Sequence, residues 1–100
     1  MYQDIAPQDL QKLQQQGTQI IDVREDWEYQ SGHIPGARNI PLGTLPARIG
    51  ELQGPLVVVC ASGGRSASAA EFLAENGIHD VSNLLGGTGG WMRSGLPTEE

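Results

Sequence analysis

The sequence predicts an α/β protein in which a mostly parallel sheet carries helices on both faces. Three observations predict it. Strand-like apolar segments alternate with helix-like segments along the whole chain. Leu56 to Val59 is a continuous apolar run, β-branched at Val57, Val58 and Val59, which is how a strand buried on both faces reads. The segments between are short and punctuated by glycine and proline.

Taken in order, Ala6 to Gln16 reads as a helix. Pro7 suits its first position, Leu10 and Leu13 share a face, and Gly17 can stop it. Thr18 to Val23 reads as a strand ending in the charged segment Arg24-Glu25-Asp26, and Trp27 to Gln30 as a short helix. Gly32-His33-Ile34-Pro35-Gly36 is turn chemistry, with a short strand at Ala37 to Ile40. Leu45 to Leu52 is predicted helical, with Leu45, Ile49 and Leu52 on one side. After the valine strand and a loop at Ala61 to Gly64, a helix is expected from Arg65 to Asn76, with Gly77 as a left-handed stop. Ala69, Ala70 and Leu73 would face the sheet, and Glu71 and Glu75 water. Val81 to Leu85 reads as a further strand, Gly86 to Gly90 as a flexible glycine loop, and Trp91 to Ser94 as a last helical turn.

A chain of 100 residues suits one compact domain, residues 1–100, and no boundary, repeat or linker interrupts it. Hydrophobic residues at 38% and fourteen glycines describe a globular chain with many tight turns. The net charge is −6, and the six cations (Lys12, Arg24, Arg38, Arg48, Arg65 and Arg93) are scattered. Nucleic-acid binding needs a basic footprint and is set aside. The N-terminus has no basic segment followed by an apolar run, so no signal peptide is read. The longest apolar run, Leu56 to Ala61, is too short to span a membrane, so no membrane partner is expected and a cytoplasmic location is the default. One cysteine excludes an internal disulfide. With two histidines at unrelated spacings, no metal site is implied.

The sharpest feature is Cys60-Ala61-Ser62-Gly63-Gly64-Arg65-Ser66, which follows the buried strand and opens a helix. In open α/β sheets, ligands bind beyond the carboxyl ends of the strands. Small residues let a loop curl so that its N–H groups converge on an anion. The helix start adds partial positive charge. Both effects favour a thiolate, the reactive form of cysteine. Cys60 is therefore the candidate catalytic nucleophile. Ala61, Ser62, Gly63 and Gly64 are candidate substrate-binding residues through their backbone, with Arg65 as a fixed cation. The competing reading makes Cys60 a small buried hydrophobe, the glycines ordinary turn residues and Arg65 a solvated first-turn residue.

Asp22 and Arg24 end a strand on the same face. Arg24 could assist an anionic substrate, or the two could form an ion pair that ties loops together. Glu25, Asp26 and Glu28 read as a solvated helix start. His33 could be a base but is read as a structural hydrogen-bonder, His79 as exposed, and Trp27 and Trp91 as core. Ser62 and Ser66 with His33 and Asp22 have no triad spacing, and the nucleophile-elbow pattern is absent. Gly86-Gly87-Thr88-Gly89-Gly90 lacks the dinucleotide fingerprint and the P-loop Gly-Lys pair.

Four motifs together resemble the rhodanese family of sulfurtransferases in its single-domain form. They are Asp22-Val23-Arg24-Glu25, then Gly32-His33-Ile34-Pro35-Gly36-Ala37, then the Cys-x-x-Gly-x-Arg loop at Cys60 to Arg65, and finally Leu85-Gly86-Gly87 with Trp91 and Gly95-Leu96-Pro97. The resemblance covers nearly the whole chain. It implies a three-layer fold with a five-stranded sheet and no cofactor. It implies transfer of a sulfane sulfur from a small anionic donor such as thiosulfate to cyanide or a thiol, through a persulfide on Cys60. The loop amides would hold the persulfide and Arg65 the donor's anionic end.

The chain departs from the two-domain thiosulfate enzymes where they carry extra cations after the cysteine, since Ala61 and Ser62 stand there. A sulfur carrier or docking module served by a partner protein is the second reading. Phosphatases and arsenate reductases of the same fold resemble the family too, but place five residues between Cys and Arg, against four here, residues 61–64.

Overall fold

The structure, a computed structural model, describes residues 1–100. Five strands form one parallel sheet: β1 (Gln3–Ile5), β2 (Gln19–Asp22), β3 (Arg38–Asn39), β4 (Leu56–Val59) and β5 (Val81–Leu84), in the order β1-β5-β4-β2-β3. The helices are α1 (Pro7–Gln15), α2 (Asp26–Gln30), α3 (Leu45–Arg48), α4 (Gly64–Glu75) and α5 (Gly87–Arg93). The α/β class and the parallel five-stranded sheet are as the sequence and the resemblance imply.

Every residue of β4 is buried, and the strand sits in the middle of the sheet. Its side chains alternate between two cores. Val57 and Val59 join Leu10, Ile20, Ile34, Leu84 and Trp91 on one face. Leu56 and Val58 join Ile21, Leu45, Ala69, Ala70 and Leu73 on the other. Each buried valine or leucine contributes about 1.5–3 kcal/mol of hydrophobic free energy. Cys60 continues the second set, so it leaves the strand pointing towards the side covered by α4. Along α4, Ser66, Ala69, Ala70 and Leu73 are buried, and Glu71 and Glu75 are exposed, as the 3.6-residue period predicts.

Several expectations need correction. β1 has no apolar alternation and only Ile5 is partly buried, so nothing in its sequence marks it; pairing with β5 makes it an edge strand. The strand expected over Ala37 to Ile40 shortens to two residues between buried Ala37 and Ile40. The helix expected over Leu45 to Leu52 is one α turn between 3₁₀ turns at Leu42–Thr44 and Ile49–Glu51, although Leu45, Ile49 and Leu52 do share one core. Trp91 is core and donates its indole N–H to the Pro97 carbonyl at 2.7 Å. Trp27 is not core: it is 68% exposed.

The largest correction concerns Gly86 to Gly90. This segment is no flexible loop but the start of α5. Gly86 and Gly87 carry φ of 77° and 59°, and the helix closes with Gly90 N–H to Gly86 O at 2.8 Å. Glycine is the residue least suited to a helix interior, so tertiary contacts, described next, decide this conformation.

Candidate functional site

The carboxyl ends of β2, β4 and β5 deliver Arg24, Cys60 and Gly86 to one edge of the sheet. Cys60 is the first residue beyond β4, and α4 starts four residues later. Between them Gly63 takes φ 115°, a backbone state that side-chain-bearing residues rarely adopt. That conformation turns its N–H onto the cysteine, and Gly63 N donates to Cys60 Sγ at 3.0 Å.

The outer side of the loop is held by α5. Thr88 N–H donates to the Cys60 carbonyl at 2.8 Å, and Gly89 N–H to the Ala61 carbonyl at 3.1 Å. With the loop's carbonyls engaged outward, its amides are free to face the sulfur. A Cβ on Gly87 would lie 2.4 Å from the Cys60 carbonyl oxygen, closer than any real contact allows. The glycine run is what lets the helix approach the loop this closely.

Ser66 completes the sulfur's surroundings. It lies at the buried start of α4, with its Oγ 3.3 Å from Cys60 Sγ. Its single proton has two further acceptors, the Gly63 carbonyl at 3.2 Å and Asn83 Oδ1 at 2.5 Å. Asn83 Nδ2 in turn donates to Asp4 Oδ1 at 3.0 Å, which fixes the amide with its oxygen towards Ser66. The overlooked strand β1 therefore reaches the site through Asp4. Burial alone would push the Cys60 thiol up. The Ser66 hydroxyl and the backbone N–H groups of Ser66, Gly63 and Ser62 outweigh it and bring the thiol below its ordinary value. Ser66 was legible only as a serine on the apolar stripe it shares with Ala69, Ala70 and Leu73.

The two arginines are engaged elsewhere. Arg24 is buried and makes a two-pronged pair with Asp22, Nε to Oδ1 at 3.0 Å and Nη2 to Oδ2 at 2.8 Å, and its Nη2 also donates to the Gly32 carbonyl at 2.9 Å. The pair ties the end of β2 to the turn before β3. Arg65 faces Glu28 of α2, Nη1 to Oε1 at 2.7 Å and Nη2 to Oε2 at 2.9 Å. Glu28 is thus not merely a solvated helix start. Its Oε1 also accepts the Glu25 N–H at 3.0 Å, and Arg65 holds its carboxyl down at about 2.

His33 is structural in its contacts. Its ring stacks on Tyr29 at 3.7 Å between centroids, and Nδ1 meets the Tyr29 carbonyl at 2.9 Å. Its backbone pairs with Glu99 in both directions, at 2.8 and 2.9 Å. His79 is exposed.

A cleft opens beside the loop, lined by Arg24, Glu28, Ala61, Thr88, Met92 and Thr98 among others. Thr88 Oγ1 is buried there without a hydrogen-bond partner. An unsatisfied buried hydroxyl is uncommon. No three His, Cys, Asp or Glu side chains group as metal ligands would, and no helix is long and apolar enough to cross a membrane.

A parallel sheet that presents one cysteine in an amide-lined loop at the head of a helix defines a class of cysteine-loop α/β domains. Within that class the chain belongs to the rhodanese-like domain family, whose profile matches residues 6–94. It is 39% identical over 100 residues to the thiosulfate sulfurtransferase GlpE of Pseudomonas paraeruginosa, covering 98% of this chain and 90% of that protein. Its fold is similar to the crystal structure of a rhodanese-related protein from Thermoplasma volcanium, with a TM-score of 0.90, 33% identity and 98% of each chain covered. A thiosulfate sulfurtransferase from Pseudomonas aeruginosa matches with a TM-score of 0.90 and 31% identity over 99% of this chain and 20% of that one. At the family level these relationships support a rhodanese-type sulfurtransferase.

Proposed function

We propose that the protein transfers a sulfane sulfur through a persulfide on Cys60. The Cys60 thiolate attacks the outer sulfur of a donor. With thiosulfate the S–S bond breaks, sulfite leaves with the bonding pair, and the enzyme carries Cys60–S–S⁻. An acceptor then attacks the outer sulfur: cyanide gives thiocyanate, a thiolate gives its persulfide, and the Cys60 thiolate returns. One observation carries this reading: the Gly63 N–H and the Ser66 hydroxyl converge on Sγ, at 3.0 and 3.3 Å, in a loop whose carbonyls α5 holds outward. Such a cradle stabilises the anion at both ends of the cycle. Four residues between Cys60 and Arg65 make a ring suited to one sulfur rather than to a tetrahedral oxyanion.

The test is intact mass after incubation with thiosulfate. Gain of one sulfur atom, absent in Cys60→Ser and reversed by cyanide, supports the proposal. No gain from thiosulfate or any persulfide donor, with hydrolysis of an aryl phosphate, would sink it. A second reading, a carrier loaded by a partner protein, draws on the engagement of both arginines by carboxylates. Loading from a protein persulfide but not from thiosulfate would favour it.

A further inference from the structure

The six cations divide sharply by their partners. Arg38 and Arg48 both pair with Glu51. Arg24 is taken by Asp22 and Arg65 by Glu28, leaving Lys12 on α1 and Arg93 at the end of α5. Arg93 places its guanidinium over Gly89 and Gly90, and it is not among the residues lining the cleft. The cleft beside the loop is lined by Glu28, which pairs with Arg65, by Arg24, already paired with Asp22, and by Met92 and Thr88. Among these lining residues there is one carboxylate and no unpaired positive charge.

Glu28 is well placed to keep this arrangement. Its carboxylate grips Arg65 with two parallel bonds of 2.7 and 2.9 Å, and the Glu25 N–H at 3.0 Å holds it in register. Paired this way, Arg65 gives one N–H of each terminal nitrogen to Glu28, and displacing Glu28 would mean breaking a charge-assisted fork. Its carboxyl, held at about 2, is ionised at neutral pH.

We propose that Glu28 determines donor specificity: by sequestering Arg65 it disfavours small dianionic donors such as thiosulfate and favours a persulfide borne on a thiol. This rests on the sulfur-transfer reading above. With a thiol-borne donor R–S–SH, the Cys60 thiolate attacks the terminal sulfur, the S–S bond breaks, and RS⁻ leaves. Charge on the donor's outer end then plays little part, and the donor can meet the exposed, apolar Met92 instead.

The experiment compares loading of Cys60 by thiosulfate and by cysteamine persulfide, a donor without net charge, generated from cystamine and hydrosulfide. Second-order rates are read by quenched intact mass for the wild type, Glu28→Gln, Glu28→Gln/Arg65→Gln and Arg93→Gln. Gln is nearly isosteric with Glu, and thermal unfolding confirms that each variant is folded. Glu28→Gln is expected to raise the thiosulfate rate about tenfold, as freeing one cation near a dianion should. The cysteamine persulfide rate should stay within about twofold, because that donor has no net charge for Arg65 to attract. The added Arg65→Gln should abolish the gain, and Arg93→Gln should leave the donor ratio unchanged.

The proposal is overturned if Glu28→Gln leaves that ratio unmoved, if the double variant keeps the gain, or if Arg93→Gln alone removes thiosulfate loading. Failure of both donors to load sulfur on any of the four proteins would instead overturn sulfur transfer itself, and this proposal with it.

Discussion

The backbone N–H of Gly63 lies 3.0 Å from Cys60 Sγ, on a residue whose φ of 115° only glycine adopts without strain. No neighbour stands in the way of a side chain there: an added Cβ would come no nearer than 3.5 Å to other atoms. Conformation, not space, therefore requires the glycine. Gly63→Ala should lose about 1–3 kcal/mol of stability, or should relax the loop and withdraw the amide. Denaturant unfolding reads the first outcome, and slower sulfur loading of Cys60 the second. A variant unchanged in both would contradict the cradle.

The thiol itself can be titrated by its alkylation rate. In the wild type the midpoint should lie below that of an ordinary cysteine, because the hydrogen bonds to Sγ outweigh burial. Ser66→Ala removes the largest of those hydrogen bonds, so the midpoint should rise. Alkylation at neutral pH should slow roughly tenfold, the scale of one hydrogen bond to a charged group.

Asp22 and Arg24 form a buried pair, with side chains 0% and 8% exposed. Removing one partner strands the other. Asp22→Ala should cost about 3–5 kcal/mol in urea unfolding, because the Arg24 guanidinium would remain buried without its carboxylate. A loss under about 1 kcal/mol would mean that Arg24 escapes to water, against the four side-chain hydrogen bonds that Asp22 and Gly32 hold it with.

Glu28 gives a pH dependence of defined sign. Its folded pKa, about 2, lies below the ordinary 4.5, mainly through its hydrogen bonds to Arg65. The pair's stabilisation is therefore complete above pH 4.5 and is lost as the pH falls from there towards 2. Because Arg65 is partly exposed, the effect is on the order of 1 kcal/mol. Thermal unfolding of Glu28→Gln should show a shallower decline across this window than the wild type does.

How much of this was legible follows from which forces act locally. Leu56 to Val59 announces a buried strand because each of its residues is apolar, and the loop from Cys60 to Arg65 announces an anion cradle because small residues precede a helix start. The stripe of Ala69, Ala70 and Leu73 likewise places α4 on the sheet. β1 was not legible, because a three-residue edge strand takes its hydrogen bonds from β5 and needs no pattern of its own. α5 is not legible because its glycines argue against a helix, and only the carbonyls of Cys60 and Ala61 supply the reason for it.

The sequence by itself determined the fold class, the address of the single cysteine and its loop, since these depend on apolar periodicity and on the sizes of neighbouring residues. The tertiary structure alone decided where the charges go. Arg65 pairs with Glu28, 37 residues away, and Asp4 reaches the sulfur through Asn83, 79 residues from it, and Ser66. Side-chain partners so distant in the chain are chosen by packing, and no spacing in the sequence encodes them. The cation that the loop motif offers to a substrate is, in the folded molecule, already held by a carboxylate.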